Sequence, residues 1–284
     1  NSEYIDAYST RGLLYLKQRN YEKSLQDFDT ILQKNKDYLD AYYGKGLVYL
    51  QQSEFEKALE NFSQVIILKP TYLAAYYFRG VIYYRQKKYS EALQDFEKVV
   101  SMNPEHAEVY FLRALIRRQL NEPQKALIDL DKALTLKPQE ADAYYVRATL
   151  YHQQGEVDKA LADFNRVLTL SNKSVDTYYL RGSIYRSQGQ EEKALDDFNQ
   201  VIALTGTYTD AYFLRGIIQR DRGKEIQAIA DFTKTIELNP SHVEAYYNRG
   251  LIYRNQGEED LAQKDFNQAI ELNKKTPESH YLRG

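Results

Sequence analysis

The 284-residue sequence has no cysteine, one methionine and only four histidines. Without cysteine there is no disulfide framework, no thiolate nucleophile and no Cys-ligated zinc. The histidines, at 106, 152, 242 and 280, are far apart, and none has metal-ligand spacing. There is no phosphate-cradling glycine loop and no nucleophile elbow. Charge of one sign is also missing. The 38 basic and 40 acidic residues leave a net −2, whereas a protein that tracks nucleic-acid phosphates needs a basic excess. No apolar run approaches the length of a membrane span, and no charged-then-apolar leader opens the chain. These absences point away from an enzyme, a resident metal or cofactor, a nucleic-acid partner and membrane insertion. A cytoplasmic setting is the expectation.

What is present is a repeat. The segment Ala75-Tyr76-Tyr77-Phe78-Arg79-Gly80 returns every 34 residues, with copies opening at Ala7, Ala41, Ala75, Val109, Ala143, Thr177, Ala211, Ala245 and Ser279. A fixed period of this size marks an array of supersecondary units. The units run 5–38, 39–72, 73–106, 107–140, 141–174, 175–208, 209–242 and 243–276. Residues 1–4 read as the tail of a preceding unit, and a ninth unit begins at Pro277. Both ends fall inside the repeat, which reads as a piece of a longer array or protein.

Each unit reads as two helices. In the third, Leu73 to Gln86 has Tyr76, Tyr77, Gly80, Val81, Tyr83 and Tyr84 at helical spacing. A short turn follows at Lys87-Lys88. Tyr89 to Met102 then carries Ala92, Leu93, Phe96, Val99 and Val100 as an apolar stripe of helical period. Asn103-Pro104 ends it, because proline disfavours helix in the residue before it. In later copies the turn holds Gly155, Gly189, Gly223 and Gly257, natural left-handed helix ends. The fourth unit is irregular. Arg117 stands in the Tyr83 series, Leu130 in the Phe96 series, and Pro123 opens the second helix, so the unit reads as a seam between two stretches of different surface chemistry.

The spacing of large and small residues resembles the tetratricopeptide repeat (TPR) family over essentially the whole chain. The matching residues are Tyr76, Gly80 and Tyr83 in the first helix (Tyr42, Gly46 and Tyr49 one unit earlier) and Ala92, Phe96 and Pro104 in the second. The resemblance implies an all-α fold, a right-handed α-solenoid of stacked antiparallel helix pairs. First helices would line a concave groove and second helices would form the convex back. Gly46 and Ala58 would sit where paired helices approach closely, and the Phe96 series would fill the space between pairs.

One feature departs from the family pattern. The residue before the small position is Arg11, Lys45, Arg79, Arg113, Arg147, Arg181, Arg215, Arg249 and Arg283. The residue before the Phe96 series is Asp27, Asn61, Asp95, Asp129, Asp163, Asp197, Asp231 and Asp265. Lys replaces Arg in the same unit in which Asn replaces Asp. The two series read as partners in bidentate ion pairs tying helix to helix. The alternative is a cationic ladder for a ligand.

By the resemblance, the face holding Tyr43, Leu47 and Leu50 lines the groove. An acidic stripe runs through Asp6, Asp40 and Glu108, and an aromatic stripe through Tyr43, Tyr77 and Phe111. A third stripe changes from Leu16, Leu50 and Tyr84 to Arg118, His152, Arg186, Arg220 and Arg254. The candidate partner-binding residues are therefore Tyr43, Leu47, Leu50, Tyr77, Val81 and Tyr84 for an apolar helix or peptide, and Arg118, Arg186, Arg220 and Arg254 for a segment of mixed charge. The competing reading packs the tyrosines between neighbouring helices and leaves the charged stripes solvated. Two TPR binding devices are missing. The carboxylate clamp wants Lys in the Tyr43 series, and the asparagine ladder wants Asn at Thr10, Gly44, Phe78, Leu112, Val146, Leu180 and Leu214, where only Asn248 complies. His106 and His242 are expected in solvent. The function expected is a protein–protein interaction scaffold or adaptor with no chemistry of its own. The alternative is the recruiting arm of a larger enzyme or of a transport or assembly complex.

Overall fold

A computed structural model of the chain describes residues 2–274. Among the described residues all regular structure is helical. The start of the ninth unit, with His280 and Arg283, lies outside them.

The chain divides into two compact units, residues 1–147 and 148–284. The first holds α1 (Ser2–Lys17), α2 (Tyr21–Lys34), α3 (Leu39–Gln51), α4 (Phe55–Leu68), α5 (Leu73–Arg85), α6 (Tyr89–Met102), α7 (Ala107–Gln119) and α8 (Pro123–Leu136). The division falls inside α9 (Ala141–Gln153), one helix beyond the irregular fourth repeat in which a seam was expected. The second compact unit holds α10 (Val157–Leu170), α11 (Val175–Ser187), α12 (Glu191–Leu204), α13 (Thr209–Asp221), α14 (Glu225–Leu238), α15 (Val243–Asn255) and α16 (Glu259–Lys274). α1 begins ahead of the repeat boundary at Ile5, so Ser2 to Tyr4 continue the first helix.

Within each compact unit, helices pair as hairpins, and each second helix packs on the next first helix. The hairpin turn is closed the same way in every repeat. The amides of Lys87 and Lys88 bond back to the carbonyls of Tyr84 and Tyr83, with Lys87 in the left-handed region at φ 59°. Arg19, Ser53 and Asn121 adopt the same conformation, and Gly155, Gly189, Gly223 and Gly257 hold it in later repeats. The turn is set by the helix-end geometry, and glycine only makes it easier.

The core sits where repeats meet. Phe62 and Val65 on α4 are fully buried with Ala75 and Ile82 on α5. Phe28 and Ile31 meet Ala41 and Val48 one repeat earlier, and Phe198 and Val201 meet Ala211 and Ile218 in the second compact unit. Burying each ring stabilises by roughly 1.5–3 kcal/mol. The Phe96 series thus fills the space between helix pairs, as the resemblance implies. The small residues have the same cause. A Cβ on Gly46 would come within 2.7 Å of the Phe62 ring, and one on Gly80 within 2.8 Å of Phe96. Gly44 lies so close to the Phe28 ring of the preceding repeat that a Cβ would overlap it.

Candidate functional site

The arginine series pairs as the spacing predicts. Arg79 Nε donates to Asp95 Oδ2 at 2.8 Å and Nη2 to Oδ1 at 2.7 Å. The same fork forms between Arg11 and Asp27, Arg113 and Asp129, Arg181 and Asp197, Arg215 and Asp231, and Arg249 and Asp265. The tyrosine three residues earlier lies against the guanidinium, with Tyr76 at 5.7 Å from Arg79 and Tyr178 at 5.7 Å from Arg181. Burial pushes the Asp95 and Asp197 carboxyls above their ordinary value, outweighing the pull of their arginines.

The spacing did not show the rest of the rung. The remaining nitrogen reaches back to the preceding repeat: Arg79 Nη1 donates to Ser63 Oγ at 3.1 Å, Arg181 Nη1 to Asn165 Oδ1 at 2.6 Å, and Arg249 Nη1 to Thr233 Oγ1 at 2.9 Å. The rungs of Arg79, Arg181, Arg215 and Arg249 therefore join two helices of their own repeat to one of the preceding repeat. This corrects the expected pairing of Lys45 with Asn61. Lys45 Nζ donates to Asp29 Oδ1 of the preceding repeat at 2.7 Å, and Asn61 bonds to the Lys57 carbonyl on its own helix. A point-charge ammonium keeps the backward arm and gives up the forward fork, so a neutral Asn suffices. In the irregular fourth repeat Arg117 is a second donor to Asp129, at 2.7 Å.

The candidate binding residues separate into two sets. Tyr43, Leu47, Leu50, Tyr77, Val81 and Tyr84 are all half-buried and pack against the interfacial cores. Tyr43 lies 5.2 Å from the Tyr72 ring and 6.1 Å from Phe62, and burial pushes its phenol up to about 12. Burial also raises the Tyr77 phenol, whose hydroxyl donates to Glu108 Oε1 at 2.6 Å. Asp6 of the same acidic stripe accepts from the Tyr38 hydroxyl at 2.9 Å. These carboxylates hold neighbouring tyrosines rather than standing free. Leu47 also lines a cavity of about 290 Å³ with Leu16 and Tyr21.

Among the arginines, Arg186 and Arg254 are exposed and Arg118 is half-buried, with no ion pair among the described residues. Arg254 borders a cavity of about 530 Å³ with Tyr247 and Phe266. Arg220 is engaged within the chain, donating to Asn248 and to Asp221. His106 and His242 are packed rather than solvated. His106 stacks on Tyr77 at 5.2 Å, and His242 lies 4.6 Å from Phe213 while its Nδ1 accepts from the Ala245 amide.

Models of the tetratricopeptide repeat match residues 9–72, 46–117, 107–140, 139–205, 209–242 and 243–275. The chain belongs to the tetratricopeptide repeat family. No curated protein sequence matches it significantly. Among solved structures it is similar to MamA, at 27% identity over 57% of this chain and 95% of that one, with a TM-score of 0.54. It is similar to YrrB, described as a TPR protein with an unusual peptide-binding site, at 24% identity over 65% of this chain and 95% of YrrB, with a TM-score of 0.58. It also resembles the C-terminal part of a TPR protein from Cytophaga hutchinsonii, at 16% identity over 84% of this chain and 98% of that one, with a TM-score of 0.72.

In this TPR chain the aromatic stripe meets two further rings. One comes from the second helix, as in Tyr179 with Phe198 at 6.3 Å. The other comes from the loop closing the repeat, as in Tyr179 with Tyr208 at 4.9 Å. Among the described residues no helix is long and apolar enough to cross a membrane.

Proposed function

We propose that this chain is a non-catalytic TPR scaffold that holds a partner peptide or helix along its first helices, in the concave groove the family forms. The observation that carries it is the half-buried strip Tyr43, Leu47 and Leu50 on α3 with Tyr77, Val81 and Tyr84 on α5. Each side chain is fixed from behind by the interfacial core and keeps part of its apolar surface in water. Rings and leucines held this way contribute contact area at little entropic cost. The exposed Arg186 and Arg254 suit a partner segment bearing acidic groups. YrrB, similar in fold, is described as peptide-binding, which agrees with a partner of this kind.

The test is selection from a random peptide library on the immobilised chain, repeated on a Tyr43→Ala, Leu50→Ala, Tyr84→Ala variant that still melts cooperatively. Peptides enriched by the parent and lost by the variant support recognition on α3 and α5. Peptides bound equally by both move the interface elsewhere.

A further inference from the structure

The fourth repeat lacks three bulky groups at one place. Leu130 replaces the Phe96 series, Ala133 stands where the first three repeats have Ile31, Val65 and Val99, and Glu140 stands where five others have Tyr38, Tyr72, His106, Tyr208 and His242. Ala133 and Glu140 line one cavity with Phe111, the aromatic-stripe member of this repeat, and Leu130 holds the place from which Phe62 meets Tyr43 two repeats earlier. In the second, sixth and seventh repeats the stripe ring is covered twice. Tyr43 meets Phe62 and Tyr72, and Phe213 meets Phe232 at 5.9 Å and His242 at 4.6 Å. Among the described residues no ring lies against Phe111. What remains is a cavity of about 410 Å³, floored by Ala107, Phe111, Leu112 and Ala133. Glu108 and the exposed Glu140 and Lys137 border it.

We propose that this cavity is a receptor for a tyrosine side chain of the bound partner, an inference that rests on the peptide-binding reading above. The chain itself shows how such a ring sits. Tyr72 packs edge-on to Tyr43 at 5.2 Å, and the Tyr38 hydroxyl donates to Asp6, the acidic residue that opens its repeat. Glu108 is the equivalent acidic residue of the fourth repeat. An incoming tyrosine lays its ring on Phe111, where the chain's own ring is missing, and donates its hydroxyl to Glu108 Oε2, beside the bond that Oε1 already accepts from Tyr77. Leucine fills part of the space but offers Glu108 no second donor, and lysine brings a charge but no ring face. The place is therefore selective for a ring with a polar edge.

Two substitutions close the cavity from within using residues the chain already employs at equivalent positions: Glu140→Tyr supplies the missing loop ring, and Ala133→Val raises the floor. The probe is N-acetyltyrosinamide at millimolar concentration, followed by amide shifts in NMR of the full chain. The proposal expects saturable shifts confined to 107–112 and 133–140, at least tenfold weaker response with N-acetylleucinamide, and loss of the shifts in both variants while cooperative melting is kept. Shifts scattered over the surface, equal response to the leucine probe, or unchanged binding in both variants would overturn it. The peptide selection separates the two readings. Peptides that need α3 and α5 but are indifferent to Glu140→Tyr and carry no required tyrosine leave the scaffold standing and remove the receptor. If no peptide is selected, the scaffold reading falls, and the probe titration alone decides whether the cavity takes tyrosine.

Discussion

A glycine at the eighth place of the repeat is a statement about a phenylalanine sixteen residues on. The Gly46 Cα leaves no room for a methyl against Phe62, whose nearest ring carbon would be 2.7 Å away. The ring is fully buried and cannot turn aside. Gly46→Ala is therefore expected to destabilise by about 1–3 kcal/mol in urea melts, the range for overpacking. Gly206→Ala, at a site with nothing within 4 Å, should be close to neutral. Tyr43 has a signature of its own. Its phenol is raised by burial to about 12. A pKa raised in the folded state gives stability that is complete below the unfolded value of about 10 and is lost as pH climbs through the folded one. Melting temperatures measured from pH ~9 to ~12 should fall less steeply for Tyr43→Phe than for the parent, by the same linkage.

At the scale of the helix pair, the rung decides which helices are held and how. The second repeat lacks its forward fork, and Tyr42, Lys45, Tyr49 and Asn61 instead line a cavity of about 400 Å³. Installing the missing rung with Lys45→Arg and Asn61→Asp together should tie α3 to α4 as Arg79 and Asp95 tie α5 to α6. Asn61→Asp alone should destabilise, because it places a carboxylate at a buried site while Lys45 stays with Asp29. A double-mutant cycle by thermal melting should give a favourable coupling of about 1–3 kcal/mol, the range for charge-assisted hydrogen bonds. A coupling near zero would mean that the rung does not set the pairing. The fork was legible because Arg and Asp change together at Lys45 and Asn61. The backward arm was not, since Asp29, Ser63, Asn165 and Thr233 share only the ability to accept a hydrogen bond.

At the scale of the whole molecule, a repeat array has no central core, so damage should stay near its origin. Phe62→Ala removes a fully buried ring and should cost about 3–5 kcal/mol locally. Hydrogen exchange should show the loss of protection in helices of residues 1–147, with α12 to α15 unchanged. Uniform loss along the chain would mean the array unfolds as a single cooperative body.

The helices, their hairpin turns, the core phenylalanines and the forward fork of the Arg–Asp rungs outside the second repeat could be read from the chain alone, because all of these recur at fixed spacing and follow from short-range geometry. Lys87-Lys88 read as a turn and is one, although no glycine is present there. Tertiary structure alone decided the contacts that depend on which side chains meet across repeats. Lys45 turned back to Asp29, His106 and His242 settled onto rings, and Arg220 was taken up by Asn248 and Asp221. The cavity over Phe111 belongs to both levels. Its replacements stand in the sequence, but only packing shows that Ala133 and Glu140 border the same ring.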